Sequence, residues 1–564
     1  MLTSGSRRLE RAEMLKLDPR VLCCYVSRSG EDYSKGRNFA ESGGVGGMIG
    51  RTRTGVVVSL IIALFVVAVG CGGGGGGAPQ VSTPPNTLEV ALEAEPPELD
   101  PNLSSAYVDR QVMASLYDRL VDIDENGKIV PVLAKSYEIS GDRKTYTFEL
   151  QQGVEFHDGT PFNAEAVKFN LERYQKEDSV RSTEIEPVES VEAVDEYTVR
   201  VTLSEPFAPF LAVLTDRAGI MASPKAIEES GGRISKNPVG TGPFEFVERV
   251  RGDHITVKKN PDYWREGLPK MDKIVYSGID DENVQYQNLQ SGELDLIDSI
   301  PFVEFRNLEE SGDYRVSLVS GLGYGGFYLN TRQPPFDDKL LRQAVYRLVN
   351  REAIVKAVLR NVGGTPANSP FSEQSFAYGE SDDYPARSVA EAKKLLEEAG
   401  KPDGFSFTYK TDPSPTSQQL GQVIQDNLKP AGIDVKLEQL EFGTLLEDSS
   451  SGDFQALALG WSGRIDPDLN IYDFMTTNGD FNDSGYSNPE VDRLLGEARM
   501  ISDEGQRKKL YDQAMQILHE DVPYVYLYHS NTTTDFAMQK TVKGFTAYPD
   551  GILRLAEVSK QQGS

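Results

Sequence analysis

The sequence predicts an α/β fold with a parallel sheet in its C-terminal half. Three observations predict it: helix and strand patterns alternate over residues 388–460, the helices carry their own start and stop signals, and the strands between them are alternating or continuous apolar runs. Ser388 and Glu391 make a capping box for AEAKKLLEEAG, with Ala392, Leu395, Leu396 and Ala399 on one face and Gly400 as the stop. A strand is expected at 405–409. Next comes a helix bearing Leu420, Val423, Ile424 and Leu428, closed by the Pro-Ala-Gly of 430–432, and then an alternating strand through Ile433, Val435 and Leu437. A short helix over 443–449 leads into 454–460 (FQALALG), a mostly apolar run of buried-strand type. Strands joined through helices in this way pair in parallel through right-handed crossovers.

The N-terminal half reads as shorter strands with one clear helix. Residues 78–86 (APQVSTPPN) form a linker, so folding is expected to start near Asn86, with a first strand over residues 87–92. Residues 145–150 (TYTFEL) and 197–203 (YTVRVTL) alternate with period two, as half-buried strands do. Between them Asn163 can cap a helix whose Val167, Leu171 and Tyr174 share a face. Residues 237–246 (NPVGTGPFEF) read as a crossing between structural units, followed by a strand at 255–259. Residues 323–330 (GYGGFYLN) are a second crossing, whose aromatics suit either a core or a pocket wall that a ligand approaches closely.

Upstream of the folded part, residues 55–70 are sixteen uncharged, mostly apolar residues, within secretory-signal length and short of the roughly 20 that span a bilayer. Arg51 and Arg53 supply the positive flank, and Ala68, Val69, Gly70 and Cys71 resemble the bacterial lipobox. Cys71 is thus the expected lipidation site; an uncleaved signal anchor is the alternative. Six glycines after Cys71 favour a flexible tether over a continuing helix. Residues 1–47 show no sustained periodicity, and translation is expected to start at Met48, leaving 48–70 as signal peptide and 71–86 as tether.

The 564-residue chain holds 58 Lys/Arg against 86 Asp/Glu, and the part after Cys71 keeps 48 against 80. Such an acidic excess argues against nucleic acid, whose phosphates need a basic surface. The three cysteines are Cys23, Cys24 and Cys71, so the part after the signal has no disulfide and must rest on its apolar cores. The four histidines, His157, His254, His519 and His529, are not at metal-ligand spacing, and no metal or cofactor is expected. No GxxxxGK[ST] loop, GxSxG elbow or HExxH helix occurs. With so many acids, a pair such as Asp466 and Asp468 is a weak sign of catalysis, and His157 in FHDGTP reads as a turn residue. The chain is expected not to be an enzyme.

Ligands of parallel sheets bind beyond the carboxyl ends of the strands. Beyond the 454–460 run stand Trp461, Ser462, Gly463, Arg464, Ile465, Asp466 and Pro467, which offer a stacking ring, a flexible glycine and a fixed cation. The alternative is that Trp461 is core and Arg464 a surface charge.

Read together, the segments LAKSYEIS and YTFELQQGVEFHDGTPFNAEAVKFNLER (133–173), VGTGPFEF (239–246), NPDYW (260–264), FYLNTRQPPFDDKLLRQAVYRLVNREAI (327–354) and LGWSGRIDPD (459–468) resemble the family 5 extracellular solute-binding proteins. These are the dipeptide-, oligopeptide- and nickel-binding components of ABC importers. The resemblance implies a two-lobed, periplasmic-binding-protein-like α/β fold with an extra domain and mixed sheets flanked by helices. Lobe I would comprise 87–116, 238–330 and 531–558, the extra domain 117–237 and lobe II 331–530. It further implies a monomer, lipid-anchored at the extracytoplasmic face of the membrane, that hands a peptide or anionic peptide-like solute to a permease and ATPase complex. A sensory lipoprotein, or a binder of a non-peptide anion or metal chelate, would use the same fold. In peptide-binding relatives an aspartate follows the tryptophan by three positions and pairs with the peptide's amino group. Here that position is Arg464, which repels an ammonium and forks onto a carboxylate. The expected site is therefore Arg464 on an anionic group, Trp461 stacked on the ligand body, and Tyr324 with the Gly460 backbone as wall, with Asp466 open to an amine.

Overall fold

The computed structural model describes residues 86–318, 320–531 and 535–561, so the signal segment, Cys71 and the glycine tether lie outside the described residues. Lobe I is built on a seven-stranded sheet in the spatial order Tyr314–Leu318, Asp535–Gln539, Leu296–Ile297, Thr87–Leu92, Lys273–Gly278, His254–Lys259 and Phe244–Val250. Thr87–Leu92 runs parallel to both of its neighbours, and the other pairings are antiparallel. Val90, Leu92, Ile274, Tyr276 and Leu296 pack with Val112, Met113 and Leu116 of the helix Tyr107–Leu116. The burial of these apolar faces against one another is the main favourable term in the lobe.

Lobe II carries a six-stranded sheet in the order Gly364–Pro366, Tyr524–Ser530, Gly323–Leu329, Ala456–Ala458, Ser406–Thr411 and Asp434–Gln439. Ser406–Thr411 is parallel to both Ala456–Ala458 and Asp434–Gln439, which is the parallel unit read from the alternating pattern. The rest of the sheet is antiparallel. The helix Val389–Glu398 starts as its capping box dictates, the Ser388 side chain accepting from the Glu391 backbone N–H at 3.2 Å. Gly323–Leu329 is buried along its whole length at the centre of this sheet, so it belongs to lobe II and not, as expected, to lobe I. Continuous apolar burial on both faces fits a central strand better than a crossing.

The extra domain is a four-stranded antiparallel sheet, ordered Ala134–Ile139, Thr145–Leu150, Thr198–Leu203 and Val188–Asp195, covered by the helix Ala164–Tyr174. Asn163 caps that helix by accepting from Ala166 N–H at 3.1 Å, and Val167, Leu171 and Tyr174 are fully buried. His157 pins this domain to the 237–246 crossing: its Nε2 meets the Gly242 carbonyl at 2.9 Å and its Nδ1 accepts from Gly240 N–H at 3.3 Å.

The chain passes from lobe I to lobe II between Leu318 and Gly323 and returns between Ser530 and Asp535. Leu318 pairs with Asp535, and Gly323 with Ser530, so both passages leave from one end of each sheet. Among the described residues no helix is long and apolar enough to cross a membrane.

Candidate functional site

The segment after Ala456–Ala458 lies at the hinge end of lobe II. Trp461 and Tyr324 exchange backbone hydrogen bonds of 2.9 Å in an isolated bridge, which ties the segment to the start of the strand Gly323–Leu329, just past the hinge. Asn470, buried, fixes its shape. Its side-chain oxygen accepts from Trp461 Nε1 at 3.0 Å and from Arg464 N–H at 2.8 Å, and its amide donates to the Arg464 carbonyl at 2.8 Å. Gly463 has φ +80°, and a Cβ there would stand 2.2 Å from the Leu322 carbonyl carbon, so only glycine fits. The Trp461 ring packs edge-on to Phe474 at 5.0 Å, and the Arg464 guanidinium lies 4.4 Å from its indole centre. The ring is therefore half core and half platform.

Arg464 reaches across to the extra domain, where its Nε is 2.6 Å from Asp216 Oδ2. Asp216 is also 3.0 Å from Arg110 Nε and 3.6 Å from Arg217 Nε, and all four side chains are 10% exposed or less. Burial alone would raise the Asp216 carboxyl, but Arg110, Arg464 and Arg217 hold it well below the usual carboxylate range. Burial and neighbouring guanidiniums press the other way on the cations, taking Arg217 down to about 9 and Arg464 down to about 10, so both stay charged at neutral pH. Arg181 adds a fourth guanidinium, its Nη2 donating to the Ser104 carbonyl that Arg217 also contacts. Three arginines share the Asp216 carboxylate, while Asp550 lies 4.0 Å from Arg110 Nη2 and Glu184 takes Arg181 Nη1 at 2.5 Å. The buried Arg110 Nη1, Arg181 Nε and Arg217 Nε lack hydrogen-bond partners, and such donors call for an acceptor.

The remaining expected residues are placed differently. Tyr324 is 3% exposed and its ring packs against Tyr524 and Tyr526 at 5.8 and 5.2 Å, so it is lobe II core; its backbone pairs with Trp461 and its hydroxyl donates to the Asn470 carbonyl at 3.3 Å. Gly460 is exposed and lets the chain pass close to Tyr324 O, 2.7 Å from where a Cβ would be. Both oxygens of Asp466 are held by Arg507, at 2.8 and 2.5 Å, a buried bidentate pair that leaves the carboxylate engaged inside lobe II. Asp216, Arg110, Arg181 and Arg217 were missed by sequence reasoning because they reach Arg464 from far along the chain, and no local pattern announces them. Among the described residues no three His, Cys, Asp or Glu side chains are placed to hold a metal ion.

Comparison with known proteins agrees with this architecture. The family model for bacterial extracellular solute-binding proteins, family 5 Middle, matches residues 128–483. The glutathione-binding protein GsiB of Pectobacterium atrosepticum is 33% identical over 472 residues, covering 80% of this chain and 90% of that protein. The periplasmic binding protein DppA of Helicobacter pylori, solved with the peptide STSA, superposes with a TM-score of 0.78 at 29% identity, covering 84% of this chain and 98% of that one. The binding protein AgaA of A. tumefaciens R10, solved with agropinic acid, gives 0.77 at 29% identity, covering 85% and 99%. With its two lobes, its extra domain and a cationic cluster beside the hinge, the chain belongs to the family 5 bacterial extracellular solute-binding proteins.

Proposed function

We propose that this protein captures a peptide-like solute carrying an anionic group, in the size class of glutathione, and delivers it to an ABC importer while tethered through lipid on Cys71. The observation that carries the reading is the buried group of Arg110, Arg217 and Arg464 around the carboxylate of Asp216, with Asp550 at 4.0 Å from Arg110 and guanidinium donors left over. A ligand carboxylate is the acceptor this geometry suits, because guanidinium forks match its two oxygens. Trp461 supports the reading by holding Arg464 in place, and the names of the relatives point to the same chemistry.

The test is titration calorimetry with glutathione. Arg464→Ala should weaken binding about tenfold to a hundredfold, the worth of a charge-assisted bond. Unchanged affinity would remove Arg464 from the site. Separately, Cys71→Ala should release a folded, ligand-competent protein from the membrane fraction; loss of binding with anchoring intact would contradict the tether.

A further inference from the structure

Thr87–Leu92 and Leu296–Ile297 run parallel and adjacent, so the residues that follow them, Glu93 and Asp298, emerge at the same end of the lobe I sheet. Asp535 opens the antiparallel neighbour, and the pairing of Ile297 with Ala537 brings it to that end too. This is the end from which the chain leaves for lobe II, because Asp535 also pairs with Leu318. Asp298 and Asp535 are 6% and 2% exposed, whereas Glu93 is exposed, so the group of carboxylates opens to solvent through Glu93.

These carboxylates are short of donors. The Gln285 side chain and the Glu93 backbone lie beside Asp298, and the Ile300 backbone beside Asp535, yet neither oxygen of Asp298 nor Oδ1 of Asp535 meets a donor at good geometry, and neither does the fully buried Oε1 of Gln285, whose amide donates to the Ile279 carbonyl. Burial, reinforced by the charge of Glu93, pushes the Asp298 carboxyl well above its ordinary value; burial does the same to Asp535, with Asp298 and Glu93 adding to it. Four buried acceptors without donors are a deficit that folded proteins rarely leave open. The geometry does not suit a metal ion. A compact cation with several N–H donors suits it better, and a primary ammonium brings three.

Tyr107 connects the two charged regions. Its ring centre is 5.8 Å from the Arg110 guanidinium, and its phenol is held up by burial and then by the charge of Glu93, with Asp298 also contributing. The acidic group and the arginine cluster thus both adjoin Tyr107, at the first turn of the helix Tyr107–Leu116. We propose that Glu93, Asp298 and Asp535 form the subsite for the primary ammonium of the ligand, while the arginine cluster takes its carboxylate. The proposal rests on the peptide-like reading above and puts the ligand's positive end on lobe I, since the 461–464 segment of lobe II presents a cation.

Calorimetry with glutathione and N-acetylglutathione tests it. Wild-type protein should bind glutathione about tenfold or more tightly than the acetylated form, since acetylation removes the charge. Asp298→Asn, which keeps the shape, should abolish that preference by weakening glutathione alone, and Asp535→Asn should do the same if Asp298→Asn fails to fold. Arg464→Ala should weaken both probes. If wild-type protein binds both equally and Arg464→Ala weakens both, the ammonium subsite falls while the anion reading stands. If the Asn variants keep the preference, the subsite also falls. If wild-type protein binds neither probe, the peptide-like reading fails and this inference with it.

Discussion

Asp473 illustrates how a single carboxylate in this region trades stability against pH. It sits half-buried on the helix Asp468–Met475, and its pKa is pushed up to about 7, first by burial and then by the charges of Asp468, Asp480 and Glu184, which outweigh the favourable field of Arg499. The folded state therefore binds a proton that the unfolded state has already released between pH 4 and pH 7, and stability falls as pH rises through that window. Asp473→Asn should stabilise the fold at pH 8, on the order of 1–2 kcal/mol once residual hydration is discounted, and so raise the thermal midpoint there, and should change nothing at pH 4. Equal effects at both pH values in a thermal denaturation series would refute the assignment. At Arg464 the pairing with Asp216 offsets only part of the desolvation, but the guanidinium stays charged and stacked on Trp461, so its role is best tested by binding.

At the scale of the element, the 461–464 segment is a turn with no freedom to relax. Gly463 combines a left-handed backbone with contact to Leu322, beside the passage between lobes. Gly463→Ala should cost about 1–2 kcal/mol from the backbone alone, and more from the clash, and should weaken solute binding by displacing Trp461 and Arg464. Differential scanning fluorimetry beside calorimetry would separate the two losses, and wild-type behaviour in both would show that the turn tolerates a side chain. The segments that made the family legible are, by contrast, scaffold. In NPDYW, Tyr263 and Trp264 both donate to buried Asp118, at 3.0 and 2.9 Å, and Thr241 adds a third bond at 3.2 Å. Gly240 and Gly242 in VGTGPFEF have no room for a Cβ beside Leu116 and Tyr117. This explains what the sequence could and could not reveal. Helix caps such as Ser388 and Asn163, and the strands around Phe407 and Val435, are local and periodic, so they read directly. The surroundings of Arg464 depend on Arg110 and Asp216, assembled by tertiary packing with no shared period. The Gly323–Leu329 strand misled because glycines beside aromatics look the same in a hinge and in a central strand.

For the whole molecule, the pair of Asp216 and Arg464 joins the extra domain to lobe II, together with the 2.7 Å bond from Ala208 N–H to the Arg499 carbonyl and the Arg499 guanidinium 4.9 Å from the Phe207 ring. Lobe motion must make and break these contacts, so they set the resting position of the trap. Asp216→Asn removes one partner of a buried pair, a loss of about 3–5 kcal/mol when the other charge stays buried. The lobes can separate and hydrate Arg464 instead. Small-angle scattering of the ligand-free variant should then give a larger radius of gyration than wild type. An unchanged radius would mean that closure does not depend on this pair.

The strand Asp535–Gln539 lies between Leu296–Ile297 and Tyr314–Leu318, not at the margin of its sheet. During synthesis the N-terminal lobe therefore cannot complete its main sheet until nearly the entire polypeptide has left the ribosome, whereas the parallel unit of lobe II is closed by residues within one short stretch. Such long-range pairing slows folding. A chain whose first lobe is closed by a strand this far along the sequence keeps that sheet unfinished for most of translation, which leaves time for other factors to hold it unfolded.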